Sequence, residues 1–283
     1  MESFTSLINS YFPEPHASLM NGILLGRPLF VTNTFYTQLK NVGLIHIVVL
    51  SGMNITLLTA IIMSTIVKYI GRKIASILTI VIIIAFVQFV GAEAPVVRAA
   101  IMGILSLIGL LYGRRTIALY LLFLSGLIMV ILNYEWLTSI SFQLSFSATL
   151  GIILFGSGGK NEEDAIPVKT GIQIKKRWIP DQVRDDLWKY FMEELRISLA
   201  AQVFTSPIIF WYFRQISFIS PIANILVAWL IAPLMILGIL TIALGLVSWH
   251  LGFVISWLVY PLLEFIIWVV ETLAKVPFGS VRI

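Results

Sequence analysis

The sequence has no cysteine and few charged side chains for its length. Without cysteine, the chain can form neither disulfide bonds nor thiolate metal sites. Charged residues make up 12% of its 283 residues, hydrophobic residues make up 59%, and the mean hydropathy is +0.97. Soluble globular proteins use about twice as many charged side chains. We therefore predict an integral membrane protein.

The usual signatures of enzyme chemistry are also lacking. No Ser-His-Asp set, pair of carboxylates or glycine-rich phosphate loop stands out, so we expect neither an enzyme nor a nucleotide-driven motor. His16, His46 and His250 do not have the spacing of metal ligands, and we assign no metal and no cofactor. Met1–Tyr11 lacks the basic and apolar regions of a signal peptide, so the first span is expected to direct insertion.

Long hydrophobic runs are what the sequence has in abundance. A helical span needs roughly 20 apolar residues, and lipid offers an exposed strand no hydrogen-bond partners. We therefore predict an all-α fold, a polytopic transmembrane helical bundle of about eight spans. The predicted spans are residues 44–67, 74–91, 95–112, 116–133, 137–156, 195–213, 222–248 and 251–273.

Loop charges predict the orientation of these spans, because lysine and arginine favour the cytoplasmic side. Basic connections follow the first, third and fifth predicted spans, whereas Glu93 and Glu135 lie in the connections between them. The basic residues are Lys68, Arg72, Lys73, Arg114, Arg115, Lys160, Lys169, Lys175, Lys176, Arg177, Arg184 and Lys189. Residues 1–43 and the C-terminus are therefore expected to face outward.

Two segments differ from the spans. Residues 1–43 are only moderately apolar, and we interpret them as an interfacial helix and loop on the outer face, preceding a transmembrane domain at 44–283. Residues 158–190 are hydrophilic and carry both signs of charge, which predicts a solvated cytoplasmic loop. Within that loop, residues 166–186 resemble peptides encoded by dispersed palindromic repeats inside bacterial genes, and such an insert would carry no function.

Arg98 is a positively charged side chain within a predicted span. It follows Glu93 and Pro95, in the first turn of the third predicted span. Polar groups at membrane depth are costly and usually face the bundle interior or a wet cavity. Arg98 therefore has two interpretations, a side chain that reaches the interface and a lumen cation that meets an anionic substrate. Sequence spacing does not separate them.

The fifth predicted span has polar residues at every second position. Ser139, Ser141, Gln143, Ser145 and Ser147 alternate with apolar residues. That period is typical of strands, but a lone strand cannot cross a bilayer. The pattern predicts either a helix with hydroxyls on several faces or an unwound stretch that lines a cavity. In an ordinary membrane helix such side chains hydrogen bond to neighbouring helices.

Four runs follow one another along the predicted spans. They are GLIHIVVLSGMNI at 43–55, Gly91-x-x-x-Pro95-x-Val97-Arg98-Ala99-x-x-Met102, Gly113-Arg114, and FQLSFSATLG at 142–151. A later stretch runs from Asn224 to Pro233. In this order and spacing, the runs resemble the signatures of the ComEC competence protein family.

Members of that family form the inner-membrane channel that passes single-stranded DNA into the cytoplasm during natural transformation. The resemblance implies a multi-pass protein of the bacterial cytoplasmic (inner) membrane that contacts single-stranded DNA and membrane lipid. It also implies a set of residues that shape the DNA path, here called the path residues. They are His46, Ser51, Asn54, Arg98, Gln143, Ser145, Ser147 and Asn224.

The sequence also departs from the family pattern. Many members carry an OB-like domain and a metallo-β-lactamase-like domain, whereas residues 1–283 contain no H-x-H-x-D-H cluster. We therefore expect separate polypeptides to act as nuclease, helicase-like cytoplasmic motor and DNA receptor, and a homodimer would suit a conduit. Asn54 stands where many relatives have histidine, and Ala94 where many have serine. Two other functions stay open, a small-solute transporter and a structural remnant or scaffold without transport.

Overall fold

The computed structural model describes residues 2–48, 52–114, 116–156, 180–276 and 280–282. These residues are mostly helical, which confirms the all-α part of the predicted fold class. The α-helices are α1 (Glu2–Tyr11), α2 (His16–Leu25), α3 (Asn33–Val42), α4 (Ile45–Val48), α5 (Gly52–Val90), α6 (Ala94–Leu111), α7 (Ala118–Leu132), α8 (Ile140–Gly151), α9 (Pro180–Phe213), α10 (Ser220–Val247) and α11 (Trp249–Leu273). A short antiparallel ladder pairs β1 (Gln215–Ser217) with β2 (Ser280–Arg282).

Within the described residues, four helices are long and apolar enough to cross a membrane. They are Thr65–Val90, Ala94–Leu111, Ser220–Val247 and Trp249–Leu273. Each overlaps a predicted span, and shorter apolar helices at Asn54–Met63, Ala118–Leu132 and Ile140–Gly156 fall in three others. The membrane character of the chain is thus supported, while the count of about eight spans stays a prediction.

The boundary between the first two predicted spans is a single residue in the structure. Gly71 has φ 76° and ψ 163° inside α5, whereas the residues on both sides are helical. Only glycine adopts this combination without strain. Two helices therefore meet at Gly71, and the basic residues Lys68, Arg72 and Lys73 flank the kink rather than a longer loop.

The chain forms two compact units. The first unit contains residues 1–54 and 214–283, and the second contains residues 55–213. In the first unit, α10 packs along α11, and α1 and α2 pack against both. In the second unit, α6, α7 and α8 pack around a cluster of Ala94, Val97, Met129 and Phe142, and α9 packs along α8.

Residues 1–43 form three helices rather than one interfacial helix and a loop. All ten residues of α2 are buried. Most of its residues are apolar, and its buried polar residues make hydrogen bonds, as burial requires. These residues are His16, Ser18 and Asn21. Gly22 allows close packing there, since a Cβ atom at this position would lie 2.6 Å from the carbonyl oxygen of Val48. The location of this region on the outer face stays a prediction.

Residues 157–179, which hold most of the predicted loop and of the repeat-like stretch 166–186, lie outside the described residues. The helix α9 begins at Pro180, so the last part of segment 158–190 is helical rather than a loop. The same helix continues through the predicted span 195–213 and contains Pro207.

A candidate anion site around Arg98

Arg98 is a buried cation near the start of α6. The helix begins at Ala94, and Pro95 occupies its first turn, where a missing N–H group leaves no hydrogen bond unmade. Arg98 lies about one turn further on, and only 8% of its surface is exposed. Its side chain therefore packs inside the second unit rather than along an outer surface.

The guanidinium of Arg98 is held by neutral partners. Its Nε donates to Oγ of Ser145 at 2.9 Å, and its Nη1 lies 3.4 Å from Sδ of Met102, a weak acceptor. Among the described residues, no carboxylate pairs with Arg98, and Glu93 is exposed. A buried charge without a counter-ion is destabilising by several kcal/mol. Within the described part of the chain, the positive charge of Arg98 is therefore not neutralised by a carboxylate.

Ser145 is positioned by a well-capped helix. A 3-10 helix at Tyr134–Thr138 leads into α8, and Oγ of Ser139 accepts a hydrogen bond from the backbone N–H of Phe142 at 3.2 Å. From Ile140 to Gly151 the backbone is α-helical, and a π-helical turn follows at Ile152–Gly156. The alternating polar pattern is therefore a helix with hydroxyls on several faces, and the unwound-stretch alternative is wrong for α8.

The polar residues of α8 fall on two stripes. At about 100° per residue, Ser141 and Ser145 share one stripe, while Gln143 and Ser147 share another about 160° away. Arg98 contacts the first stripe. On the second stripe, Nε2 of Gln143 donates to the carbonyl oxygen of Leu137 at 3.2 Å, and Ser147 is partly buried. Arg98 and Ser145 are thus brought together. The side chain of Gln143 instead bonds to the backbone just before the start of α8.

Aromatic packing supports the Arg98 site. The rings of Phe142 and Phe146 are stacked with centroids 5.8 Å apart, and Phe146 makes an edge contact with Phe123 at the same distance. Phe142 is 6% exposed, so it contributes to the core. This core holds α6, α7 and α8 together beneath Arg98.

Four of the path residues belong to the first unit, namely His46, Ser51, Asn54 and Asn224. Asn54 is fully buried, and its Nδ2 donates to the carbonyl oxygen of Ile23 at 2.9 Å. This carbonyl lies in the last turn of α2, where helix carbonyls have no partner in the helix. Asn224 is partly buried in α10. The side chain of His46, and all of Ser51, lie outside the described residues.

An open groove in the second unit has a volume of about 810 Å³. It is lined by Phe155 and by residues of α9 that include Arg196. None of the path residues lines it.

Sequence reasoning missed one pair of ionisable side chains. Nε2 of His16 lies 2.7 Å from Oε2 of Glu264, although 248 positions separate the two residues. The signal in the sequence was weak, a lone histidine and a lone acid in two apolar segments.

Comparisons with known proteins find a matching family and similar proteins in two bacteria. The family described as "Competence protein" matches residues 23–283. The chain is 27% identical over 263 residues to ComE operon protein 3 of Bacillus subtilis (strain 168), covering 89% of this chain and 31% of that protein. It is 32% identical over 131 residues to an uncharacterized protein of Aquifex aeolicus (strain VF5), covering 46% of this chain and 31% of that protein. The chain thus spans less than a third of the length of either relative. No solved structure matches it significantly.

Proposed function

Because the chain belongs to the competence protein family, we propose that it is the membrane part of a channel that carries single-stranded DNA across the bacterial inner membrane in natural transformation. The observation that carries this proposal is the buried guanidinium of Arg98. It is oriented by Ser145 and has no carboxylate partner among the described residues.

The chemistry of this group suits a phosphodiester. A guanidinium presents planar N–H donors that match phosphate oxygens, and Nε of Arg98 is already fixed by Ser145. Because Ser145 is neutral, it orients the guanidinium without cancelling its charge. An approaching phosphate would therefore find a pre-oriented cation with Nη donors to offer.

A conduit must also release its cargo. Each cation that neutralises a phosphate adds a salt-dependent contribution to affinity, so a row of lysines would hold DNA tightly. A single arginine among hydroxyl and amide groups binds weakly enough to let a strand move on. The proposed activity is conduction without covalent chemistry. A motor, a DNA receptor and a nuclease would then be separate polypeptides, and the conduit would suit a homodimer.

The test is uptake of a short fluorescent single-stranded oligonucleotide into proteoliposomes that contain the full chain, with an inside-positive membrane potential. Losing a charged hydrogen bond of about 1.5–3 kcal/mol corresponds to a fall of about ten- to a hundredfold, which we expect for Arg98→Ala. Arg98→Lys should keep part of the uptake, since the charge remains. The matched control is Arg196→Ala, because Arg196 is exposed and its Nε donates to the carbonyl oxygen of Phe155.

Equal uptake by the wild type and Arg98→Ala would contradict the proposal. Flux of a labelled small anion that single-stranded DNA does not inhibit would favour a small-solute transporter. A folded wild-type chain that conducts neither would favour a scaffold.

A further inference from the structure

The first unit contains an ionisable pair within an apolar environment. His16 is the first residue of α2, and Glu264 lies in the interior of α11, one of the four helices long enough to cross a membrane. Nε2 of His16 and Oε2 of Glu264 are 2.7 Å apart. An acid within a membrane helix is rare and usually marks a functional site.

The two side chains differ in their access to the surroundings. The side chain of His16 is 7% exposed, whereas that of Glu264 is 56% exposed. The imidazole also stacks on Tyr260, with ring centroids 4.5 Å apart and planes 14° from parallel. Tyr260 lies one helical turn before Glu264, so both contact the same ring from one face of α11. The imidazole is fixed by both contacts, whereas the carboxylate is covered on the side of His16 and exposed on its other side.

The unpartnered nitrogen of His16 decides where its proton lies. Nδ1 is buried and has no hydrogen-bond partner in the part of the chain that the structure describes. A buried N–H donor without an acceptor is rarer and more costly than an unpaired acceptor. Of the two neutral tautomers, the favoured one therefore carries its proton on Nε2 and donates it to the carboxylate of Glu264. A second proton on the ring would create a buried cationic N–H with nothing to accept it.

We propose that Glu264 is a proton-binding site held by His16, and that binding of a proton loosens the link between α2 and α11. The proton comes from water and stays on a carboxyl oxygen of Glu264, while the imidazole remains neutral. The hydrogen bond from His16 then changes from charge-assisted to neutral, which makes it roughly half as strong.

Other ionisable groups on the packed elements are few. The helix α10 has none in its sequence. Glu14 precedes α2 and accepts a hydrogen bond from the backbone N–H of Ser18. The phenol of Tyr11 on α1 donates to the carbonyl oxygen of Trp249. The remaining ones are Glu2 on α1, Tyr36 and Lys40 on α3, His46 on α4, and His250, Tyr260 and Glu271 on α11. Among the described residues, the ion-pair partner of Glu264 is His16.

This inference does not depend on the proposed function. The pair lies in the first unit, whereas Arg98 lies in the second. Its test uses no DNA, so either proposal can fail alone.

The experiment is an acid titration of the full chain in lipid nanodiscs, followed by infrared spectroscopy and by nitrogen NMR of labelled histidine. The carboxylic acid band should grow on acidification as all 14 Asp and Glu side chains protonate, so the component from Glu264 is isolated as the difference between the wild type and Glu264→Gln. Glu271→Gln is the matched control, since Glu271 is exposed on α11 two turns further along the same face. The control should keep the Glu264 component. Nδ1 of His16, assigned with His16→Phe, should stay unprotonated while the Glu264 component appears.

Hydrogen exchange supplies a second readout. After correction for the intrinsic effect of pH, amides of α2 should exchange faster on acidification in the wild type and in Glu271→Gln, but not in Glu264→Gln. His16→Gln keeps an amide donor to the carboxylate, and the Glu264 component of the acid band should persist in it. A wild-type band identical to that of Glu264→Gln, or double protonation of His16 with Glu264 still ionised, would overturn the proposal. So would α2 exchange that responds equally in all variants.

Discussion

Single residues set the character of the Arg98 site. The guanidinium is buried, yet its Nε partner Ser145 is a neutral hydroxyl. A carboxylate in place of this hydroxyl would neutralise the charge of Arg98. In the proposed channel, the neutral partner is therefore the feature that would let Arg98 bind an anion instead of forming a structural ion pair.

Replacing Ser145 tests this distinction. Ser145→Ala leaves the Arg98 Nε donor without its acceptor, and an unsatisfied buried donor costs about 1–3 kcal/mol. We expect a lower melting temperature and a smaller loss of oligonucleotide uptake than in Arg98→Ala, because the charge remains. Ser145→Thr retains the hydroxyl and should behave like the wild type. Uptake that is insensitive to Ser145→Ala would show that the orientation of Arg98 is unimportant.

Asn54 is predicted to act on stability instead. Its Nδ2 is bonded to the carbonyl oxygen of Ile23 in the last turn of α2. Asn54→Leu should lower the free energy of unfolding by about 1–3 kcal/mol, because that buried carbonyl loses its donor. The measurement is thermal unfolding in detergent, with Gln143→Leu as a second polar-to-apolar change. The latter affects a partly buried side chain bonded to Leu137, so its effect should be smaller.

At this scale, the sequence predicted the chemistry of the residues better than their partners. Arg98 stood out because a cation in an apolar run is costly. Its partner Ser145 lies 47 positions away, and a strand-like period of two could not tell which serine faces α6. His16 and Glu264 were each isolated in the sequence, and their contact exists only because α2 packs against α11.

Helices in this protein approach closely where glycine replaces a side chain. At Gly151, a Cβ atom would lie 2.5 Å from the carbonyl oxygen of Ala200 and 2.8 Å from the ring of Phe204. At Gly103, a Cβ atom would lie 3.7 Å from Cδ1 of Ile83, which is an ordinary contact. Both glycines are helical, so they differ in the space around them rather than in backbone conformation.

The two glycines should therefore respond in opposite ways to alanine. In Gly151→Ala, the added methyl group would push α8 away from α9. We expect a lower melting temperature, since overpacking costs about 1–3 kcal/mol. Gly103→Ala should leave the melting temperature unchanged or raise it, because alanine is favoured over glycine in a helix by about 1 kcal/mol. The measurement is the melting temperature of both variants in thermal unfolding. Equal effects would mean that α8 and α9 are not closely packed at Gly151.

Hydropathy predicted some elements well and others poorly, for a physical reason. The predicted spans 222–248 and 251–273 nearly coincide with α10 and α11, because both helices are apolar throughout. The start of α9 at Pro180 was missed because its first turns are rich in charge, and hydropathy detects lipid-spanning helices rather than helices in general. The burial of α2 was missed because a ten-residue apolar helix is too short to span a bilayer.

The number of membrane crossings is a property of the whole molecule, and it depends on whether α7 crosses. The helix α7 has 15 residues, which span about 22 Å, against roughly 30 Å for the hydrocarbon core. Yet basic Arg114 precedes it and acidic Glu135 follows it. Charge alternation therefore predicts a crossing that length alone does not.

Because the chain has no cysteine, single cysteines can report its topology directly. The variants are Tyr69→Cys, Ala92→Cys, Tyr112→Cys and Tyr134→Cys, all at exposed positions beside the charged connections, so that no topology-setting charge is lost. In intact spheroplasts, an impermeant maleimide should label positions 92 and 134, whereas positions 69 and 112 should react only after lysis, because lysine and arginine stay on the cytoplasmic side. The unmodified chain should give no signal. If positions 112 and 134 react alike, α7 does not cross, and the fourth predicted span and the orientation of every later one would be wrong.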